Sequence, residues 1–268
     1  MIPIRDNIPS RSPPMINYAI LTLNVLVFLY QISAGRAGEQ IIERYGMIPA
    51  RITRPNEPVP VRQSMLLETP FGLQQRVGHR PAAAPPFHPY WTLLTCIALH
   101  GGWMHLIGNC WFLYIFGDNV EDRLGHGLYA LFYIVSGVGA SIIHWAAGPD
   151  SIVPTIGASG AIAGVMGAYF LLYPHARVLS VIPIVVFLEI IVLPAYVFLG
   201  IWFLFQFVQG SLAGTSPTGG GVAWWAHIGG FLVGGGLLLL LKYAGLLKSA
   251  PEYIHPGRRV AVYRYHIR

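Results

Sequence analysis

The stretch 157-GASGAIAGVMGAYFLLY-173 carries no ionisable group until its tyrosines, and such a run reads as a membrane helix rather than a surface one. A span takes about 20 mostly apolar residues, and comparable runs recur on both sides of it. They cover residues 16–33, 105–116 (preceded by an apolar stretch at 91–99), 128–147 and 224–241, with a longer run at 178–209. The composition agrees: 54% of residues are hydrophobic and 10% charged, with a mean hydropathy of +0.55. A soluble domain carries about 25% charged residues, so this chain lacks the polar surface to coat a globule. The expected architecture is all-α, a polytopic bundle of six transmembrane helices in contact with the lipid bilayer.

The run at 178–209 is too long for one span and contains Glu189, Pro183 and Pro194. A carboxylate at the bilayer centre costs several kcal/mol. A helix that starts between Ile190 and Pro194 leaves Glu189 at the water interface and puts Pro194 in the first turn, where its missing N–H costs nothing. Residues 177–188 then form an apolar interfacial hairpin.

Three regions follow: an N-terminal segment at 1–15, a membrane domain at 16–243 and a basic tail at 244–268. The membrane domain includes a long Pro- and Arg-rich loop at 35–90, with a short interfacial helix around Glu39 to Tyr45. No basic, apolar and small-residue signal pattern opens the chain, so the first apolar run is expected to be a retained helix.

The net charge of +6 does not indicate nucleic acid, because the basic residues are not clustered with stacking aromatics. They instead set topology. The connections 117–127 and 174–180 carry Arg123 and Arg177, and the end of the last apolar run and the tail carry Lys242, Lys248, Arg258, Arg259, Arg264 and Arg268. The connections 148–156 and 210–223 carry no lysine or arginine. Both termini are therefore expected on the cytoplasmic side. The arginines at 35–90 oppose this, in a loop near the length where the rule weakens. Cys96 and Cys110, read on one helical stretch, lie about 21 Å apart, too far to bridge.

Ser159 sits between glycines at a helix start, where small neighbours admit a substrate backbone and free N–H groups favour an oxyanion. The same residue also fits a helix cap among packing glycines. His227, in Ala226-His227-Ile228-Gly229-Gly230, is an ionisable group in a membrane helix and so a functional candidate. Under the expected topology both helices begin on the outer side, which puts Ser159 and His227 at one depth. The stripes Gly160–x3–Gly164 and Ala226–x3–Gly230–x3–Gly234 would let the two helices pack backbone to backbone, bringing hydroxyl and imidazole within hydrogen-bond reach. His105 and Asn109, at i and i+4, share one helix face and could donate to an oxyanion, or simply bond backbone within the bundle. A metal site built from His100, His105 and His227 is a further option. No HExxH motif is present, so zinc is weak and no metal or cofactor is expected.

The pieces HGGWMHLIGN (100–109), EDR (121–123) followed by LG, GASGAIAG (157–164) and AHIGGFLVGG (226–235), in this order, resemble the rhomboid family of intramembrane serine proteases, bacterial type. The resemblance spans most of the chain, including YGMIPA after the first helix. It implies a serine–histidine dyad with Ser159 as nucleophile and His227 as base. It further implies an oxyanion hole from His105, Asn109 and the Ser159 N–H, and Gly157 as part of the nucleophile turn. His100 matches a histidine supporting the loop between helices one and two, and Glu121 and Arg123 match a structural pair. Two positions depart from the pattern: Thr92 follows Trp91 where arginine is frequent, and Ala163 stands where some members place a tyrosine against the base, leaving Trp224 or Trp225 to orient His227.

The implied activity is cleavage of transmembrane-protein substrates near the outer membrane boundary, in a bacterial inner membrane. The glycine-rich connection at 210–221 reads as a lid over the site or as a plain connection. A pseudoprotease that binds membrane clients without cutting, and an ion- or proton-handling transporter, are the rival readings.

Overall fold

The computed structural model describes residues 1–35, 37–69, 72–184, 187–213 and 222–249. Six helices form the bundle: α1 (Met15–Ser33), α5 (Trp103–Leu124), α6 (His126–Ala147), α7 (Ser159–Leu172), α8 (Ala195–Ala213) and α9 (Trp224–Tyr243). Three short helices lie between α1 and α5: α2 (Ala37–Tyr45), α3 (Pro49–Thr53) and α4 (Thr92–Thr95). The fold is mostly helical, but the all-α expectation needs correction, because two small antiparallel sheets are present. Strands β2 (Pro60–Thr69) and β3 (Gly72–Pro81) form a hairpin within 35–90. Strands β1 (Ile2–Arg5), β4 (Arg177–Ile184) and β5 (Phe187–Pro194) form a sheet of order β1-β4-β5.

The hairpin read from residues 177–188 is real but runs to Pro194, and α8 starts one residue later. Its β-branched runs suit a pleated strand better than a helix. Glu189 is exposed on β5, opposite Ile182. Within 35–90, the Glu43 carboxylate accepts from the two terminal guanidinium nitrogens of Arg80 at 2.8 and 2.7 Å and from the Ala83 N–H at 2.8 Å. Burial pushes this carboxyl up, but the Arg80 and Ala83 hydrogen bonds and the Arg80 charge outweigh it and hold Glu43 below the usual carboxylate range.

Residues 117–127 are largely helix rather than loop. α5 continues to Leu124, and Gly125, at φ 78°, makes the left-handed stop that lets α6 begin at once. Four helices are long and apolar enough to cross a membrane: α1, α6, α8 and α9. α5 carries Asp118, Glu121, Asp122 and Arg123 near its end, and α7 has only 14 residues. By length and composition alone, four helices among the described residues are candidate spans, and α7 is a shorter apolar helix.

α7 is the core of the bundle, with every residue from Gly160 to Tyr169 buried. Its neighbours approach to backbone distance. A methyl added at Gly230 would overlap the Gly160 carbonyl oxygen, and one at Gly234 would overlap the Gly164 backbone. On the α6 side, a methyl at Gly164 would come to 2.5 Å from Ser136 Cβ. These contacts realise the small-residue stripes seen in the sequence.

The bundle end opposite the site is tied by the N-terminal segment. The buried Glu121 carboxylate accepts the Ile16 and Asn17 N–H groups at 2.9 and 2.8 Å, capping α1, and bonds His126 Nδ1 at 2.5 Å. Arg123 Nε donates to the Lys248 carbonyl at 3.0 Å. The two residues thus hold different segments and do not pair with each other. Glu121→Ala strands two amide donors in the interior and is expected to cost about 3 kcal/mol, read as a lowered Tm in detergent.

Candidate functional site

α7 is about 21 Å long, against a hydrocarbon core of about 30 Å. It is also shorter than α5, α6 and α9, which pack against it. The connection from α6 is held by backbone bonds: Met47 and Thr155 exchange hydrogen bonds of 3.0 and 2.8 Å, and the Gly157 N–H donates to the Cys96 carbonyl at 2.9 Å. Gly157 sits at φ 124°, in the region favouring glycine. The helix is capped by Ala158, without a side-chain bond, so Ser159 is not the cap.

Ser159 Oγ lies 2.7 Å from His227 Nε2. The helices that carry them cross at the glycines just described, so this distance is a consequence of backbone contact. His227 Nδ1 lies 2.6 Å from Oε1 of Gln206, on α8. The imidazole is flanked by Trp202, with ring centroids 5.9 Å apart, and met edge-on by Trp224 at 6.3 Å. Ala163 is buried and packs where Gly230 passes, leaving the base to be held from α8 and α9.

His105 and Asn109 face Gly157 from α5. A methyl on Gly157 would lie 2.6 Å from His105 Nε2 and 3.6 Å from Asn109 Nδ2, so both nitrogens border the space beside Ser159. His105 Nδ1 accepts the Gly101 N–H at 3.2 Å. A neutral ring that accepts at Nδ1 carries its proton on Nε2, the atom turned to the site. Asn109 Nδ2 is buried without a hydrogen-bond partner among the described residues. A buried donor left unpaired costs about 1–3 kcal/mol, and an acceptor arriving with a ligand would recover it.

His100 stands behind this pair, pinned through its backbone by Gln31 of α1, with N–H to Oε1 at 3.0 Å and carbonyl to Nε2 at 3.1 Å. Its ring centroid is 5.3 Å from that of His105. Burial, reinforced by His105, lowers its imidazole to about 4, so it is neutral. His227 is turned to Ser159, so the three histidines do not form one cluster. Among the described residues, no group of three or more His, Cys, Asp or Glu is arranged for a metal. Gly160, Gly230 and Gly234 act as packing positions. Thr95 Oγ1 donates to the Tyr45 carbonyl at 2.6 Å, anchoring the chain before α5, where Thr92 is buried. Cys96 and Cys110 are both free.

Ser159, His227, His105 and Asn109 line one cavity of about 880 Å³. Gly210, Val222 and Trp224 also border it, while residues 214–221 of the glycine-rich connection, the lid candidate, lie outside the described residues. The tail from residue 250 lies outside them too. Three side chains escaped the sequence reading: Trp202 and His144, which line the cavity, the latter with Nδ1 unpartnered among the described residues, and Gln206, which reaches the site through His227. Gln206 and His144 did carry a signal, as polar residues inside apolar runs.

Residues 88–244 match the family described as Rhomboid domain. RHOMBOID-like protein 5 of Arabidopsis thaliana is 29% identical over 211 residues, 74% of this chain and 59% of that protein. Rhomboid-like protein 11, chloroplastic, of the same plant is 40% identical over 78 residues, 29% of this chain and 28% of its own. Rhomboid protease GluP of Bacillus subtilis (strain 168) is 42% identical over 79 residues, 30% of this chain and 15% of its own. The matched region covers less than two thirds of each of these proteins. Because the family match takes in α5 to α9, and with them every helix that contributes to the cavity, the chain belongs to the rhomboid family of membrane proteins.

Proposed function

We propose that the protein is an intramembrane serine endopeptidase that cuts transmembrane-protein substrates through a Ser159–His227 dyad. The observation that carries this reading is the 2.7 Å contact between Ser159 Oγ and His227 Nε2 on the floor of the cavity. Family membership and the relative named a rhomboid protease support it.

In the proposed reaction, His227 Nε2 takes the hydroxyl proton as Ser159 Oγ attacks the scissile carbonyl carbon. The carbonyl oxygen, now negative, is met by His105 Nε2–H, Asn109 Nδ2 and the Ser159 N–H, donors held in place before charge develops. His227 returns the proton to the departing amine as the C–N bond breaks, leaving an ester on Ser159. A water entering the cavity loses its proton to His227 and attacks the ester carbon; the C–Oγ bond then breaks, His227 gives that proton to Ser159 Oγ, and the new carboxyl end leaves. All six long helices cross the membrane in this reading, α5 and α7 included, with both termini on the cytoplasmic side. Arg11, Arg123, Arg177 and Lys248 gather at the bundle end that carries the N-terminal segment, which supports that orientation. The cavity then opens toward the outer boundary. In a bacterial cell the membrane would be the inner one.

The test is cleavage of a fluorescent transmembrane substrate in proteoliposomes by the parent and Ser159→Ala proteins. Undiminished cleavage by Ser159→Ala would sink the serine mechanism. Retained client binding without cleavage by the parent would point to a pseudoprotease, and loss of activity on chelation to a metal enzyme. Asn109→Ala, which removes one oxyanion donor, is expected to lower kcat by about 10²–10³-fold with little change in KM. An equal fall in substrate affinity would show that Asn109 serves binding instead.

A further inference from the structure

We propose that Gln206 is the positioning residue for His227, its amide oxygen holding the Nδ1 proton so that Nε2 meets Ser159 as an acceptor. The proposal rests on the serine–histidine reading above and deepens it.

The argument is one of donors and acceptors. An amide oxygen only accepts, and it sits 2.6 Å from His227 Nδ1. Nδ1 must then carry a proton, and a neutral imidazole carries only one. Nε2 is left with a lone pair, and the Ser159 hydroxyl 2.7 Å away donates to it. With the amide nitrogen facing the ring, the tautomer would reverse. Nε2 would then carry hydrogen and could not take the serine proton. The oxygen-inward arrangement is therefore the productive one.

The placement of Gln206 supports this role. It is 5% exposed, whereas its α8 neighbours Leu204, Phe205, Phe207 and Val208 are 60%, 54%, 48% and 44% exposed. α8 thus turns apolar side chains outward and one amide inward. Burying an amide is unfavourable unless it is hydrogen-bonded, and the His227 bond satisfies its acceptor. Trp202, one turn earlier on α8, lies against the same imidazole, so one helix supplies both the hydrogen bond and a flanking ring. A neutral acceptor suits an apolar surrounding, because a carboxylate here would add a buried charge. When His227 is protonated during turnover, Nδ1–H keeps its bond to Oε1 and the ring stays aimed at Ser159.

The variants are Gln206→Met, which keeps length but removes the acceptor, and Gln206→Glu, which keeps an acceptor oxygen. Among the described residues the titratable side chains that face His227 are His105 from α5 and His144 from α6, and both are unchanged in these variants. In proteoliposomes, Gln206→Met is expected to lower kcat about 10- to 100-fold, a fraction of the ~10²–10⁴ that general base catalysis supplies, with KM within about twofold. Gln206→Glu should recover most of kcat. Its carboxylate stabilises the imidazolium, so the acid limb of its pH–kcat profile should move to higher pH. Nitrogen-15 spectra of histidine-labelled protein should show His227 protonated at Nδ1 in the parent and as a tautomer mixture in Gln206→Met.

Parent kcat and parent tautomer in Gln206→Met would overturn the proposal. So would an equal loss in both variants with an unmoved acid limb, since that is what a purely packing role predicts. A Ser159→Ala protein that still cleaves would fail the dyad instead, while the nitrogen spectra would still report whether Gln206 sets the tautomer.

Discussion

Replacing Ser159 and His227 by alanine, singly and together, is expected to give one residual rate in all three proteins, on the order of 10⁴-fold or more below the parent. In the proposed mechanism the two groups act as a unit across a single 2.7 Å contact. Without the imidazole, the hydroxyl keeps its proton and is a poor nucleophile. Without the hydroxyl, the imidazole has nothing to activate. Once either is gone, removing the other takes away nothing further, so the losses do not add. Turnover of the same substrate in the same liposomes measures all three. Losses that multiply would mean that the residues contribute separately and that the dyad assignment is wrong. The effect should appear in kcat, since neither side chain is needed to hold the substrate in its ground state.

Gly230→Ala is the second large effect, and it acts through the fold. The added methyl would overlap the Gly160 carbonyl oxygen, a backbone atom that cannot rotate away. α9 must withdraw from α7, and His227, one turn earlier on α9, must move with it. Overpacking of this kind costs about 1–3 kcal/mol, and about 1 Å of misplacement at a reacting pair costs about 10²-fold in rate. Both losses are expected together: a lower Tm in detergent and a fall in kcat of about 10²-fold. Gly236→Ala is the control, because nothing lies within 4 Å of a methyl there. A Gly230→Ala protein with parent Tm and parent kcat would show that the α7–α9 contact does not set the Ser159–His227 distance.

Much of the fold was legible because a bilayer simplifies the code. Apolar run length marks helices, and Trp224 begins the last helix where the sequence places it. The hairpin before α8 was legible for a different reason: Glu189 and Pro194 sit badly inside a span. The sheets were less so. Pairing of Ile2 with Val181 joins residues far apart in sequence, and no local pattern announces it. Nor did the Pro-rich character of 35–90 show that Glu43 and Arg80 would fasten a hairpin to α2.

For the site, the chain by itself singled out the candidate residues. Ser159 among glycines, His227 in an apolar helix, and His105 with Asn109 on one face are all local patterns, readable because ionisable and small residues are conspicuous in a membrane segment. It could not specify what holds His227. Ala163 leaves no tyrosine one turn after the serine, and the tryptophans next to His227 in sequence were the natural substitutes. The structure instead gives Nδ1 to Gln206 and sets Trp202 beside the ring, with Trp224 at its edge. The physical reason is one of pairing. A lone amide such as Gln206 in an apolar helix marks an inward side but not the neighbour it will meet, so its pairing with His227 is decided only when α8 and α9 pack.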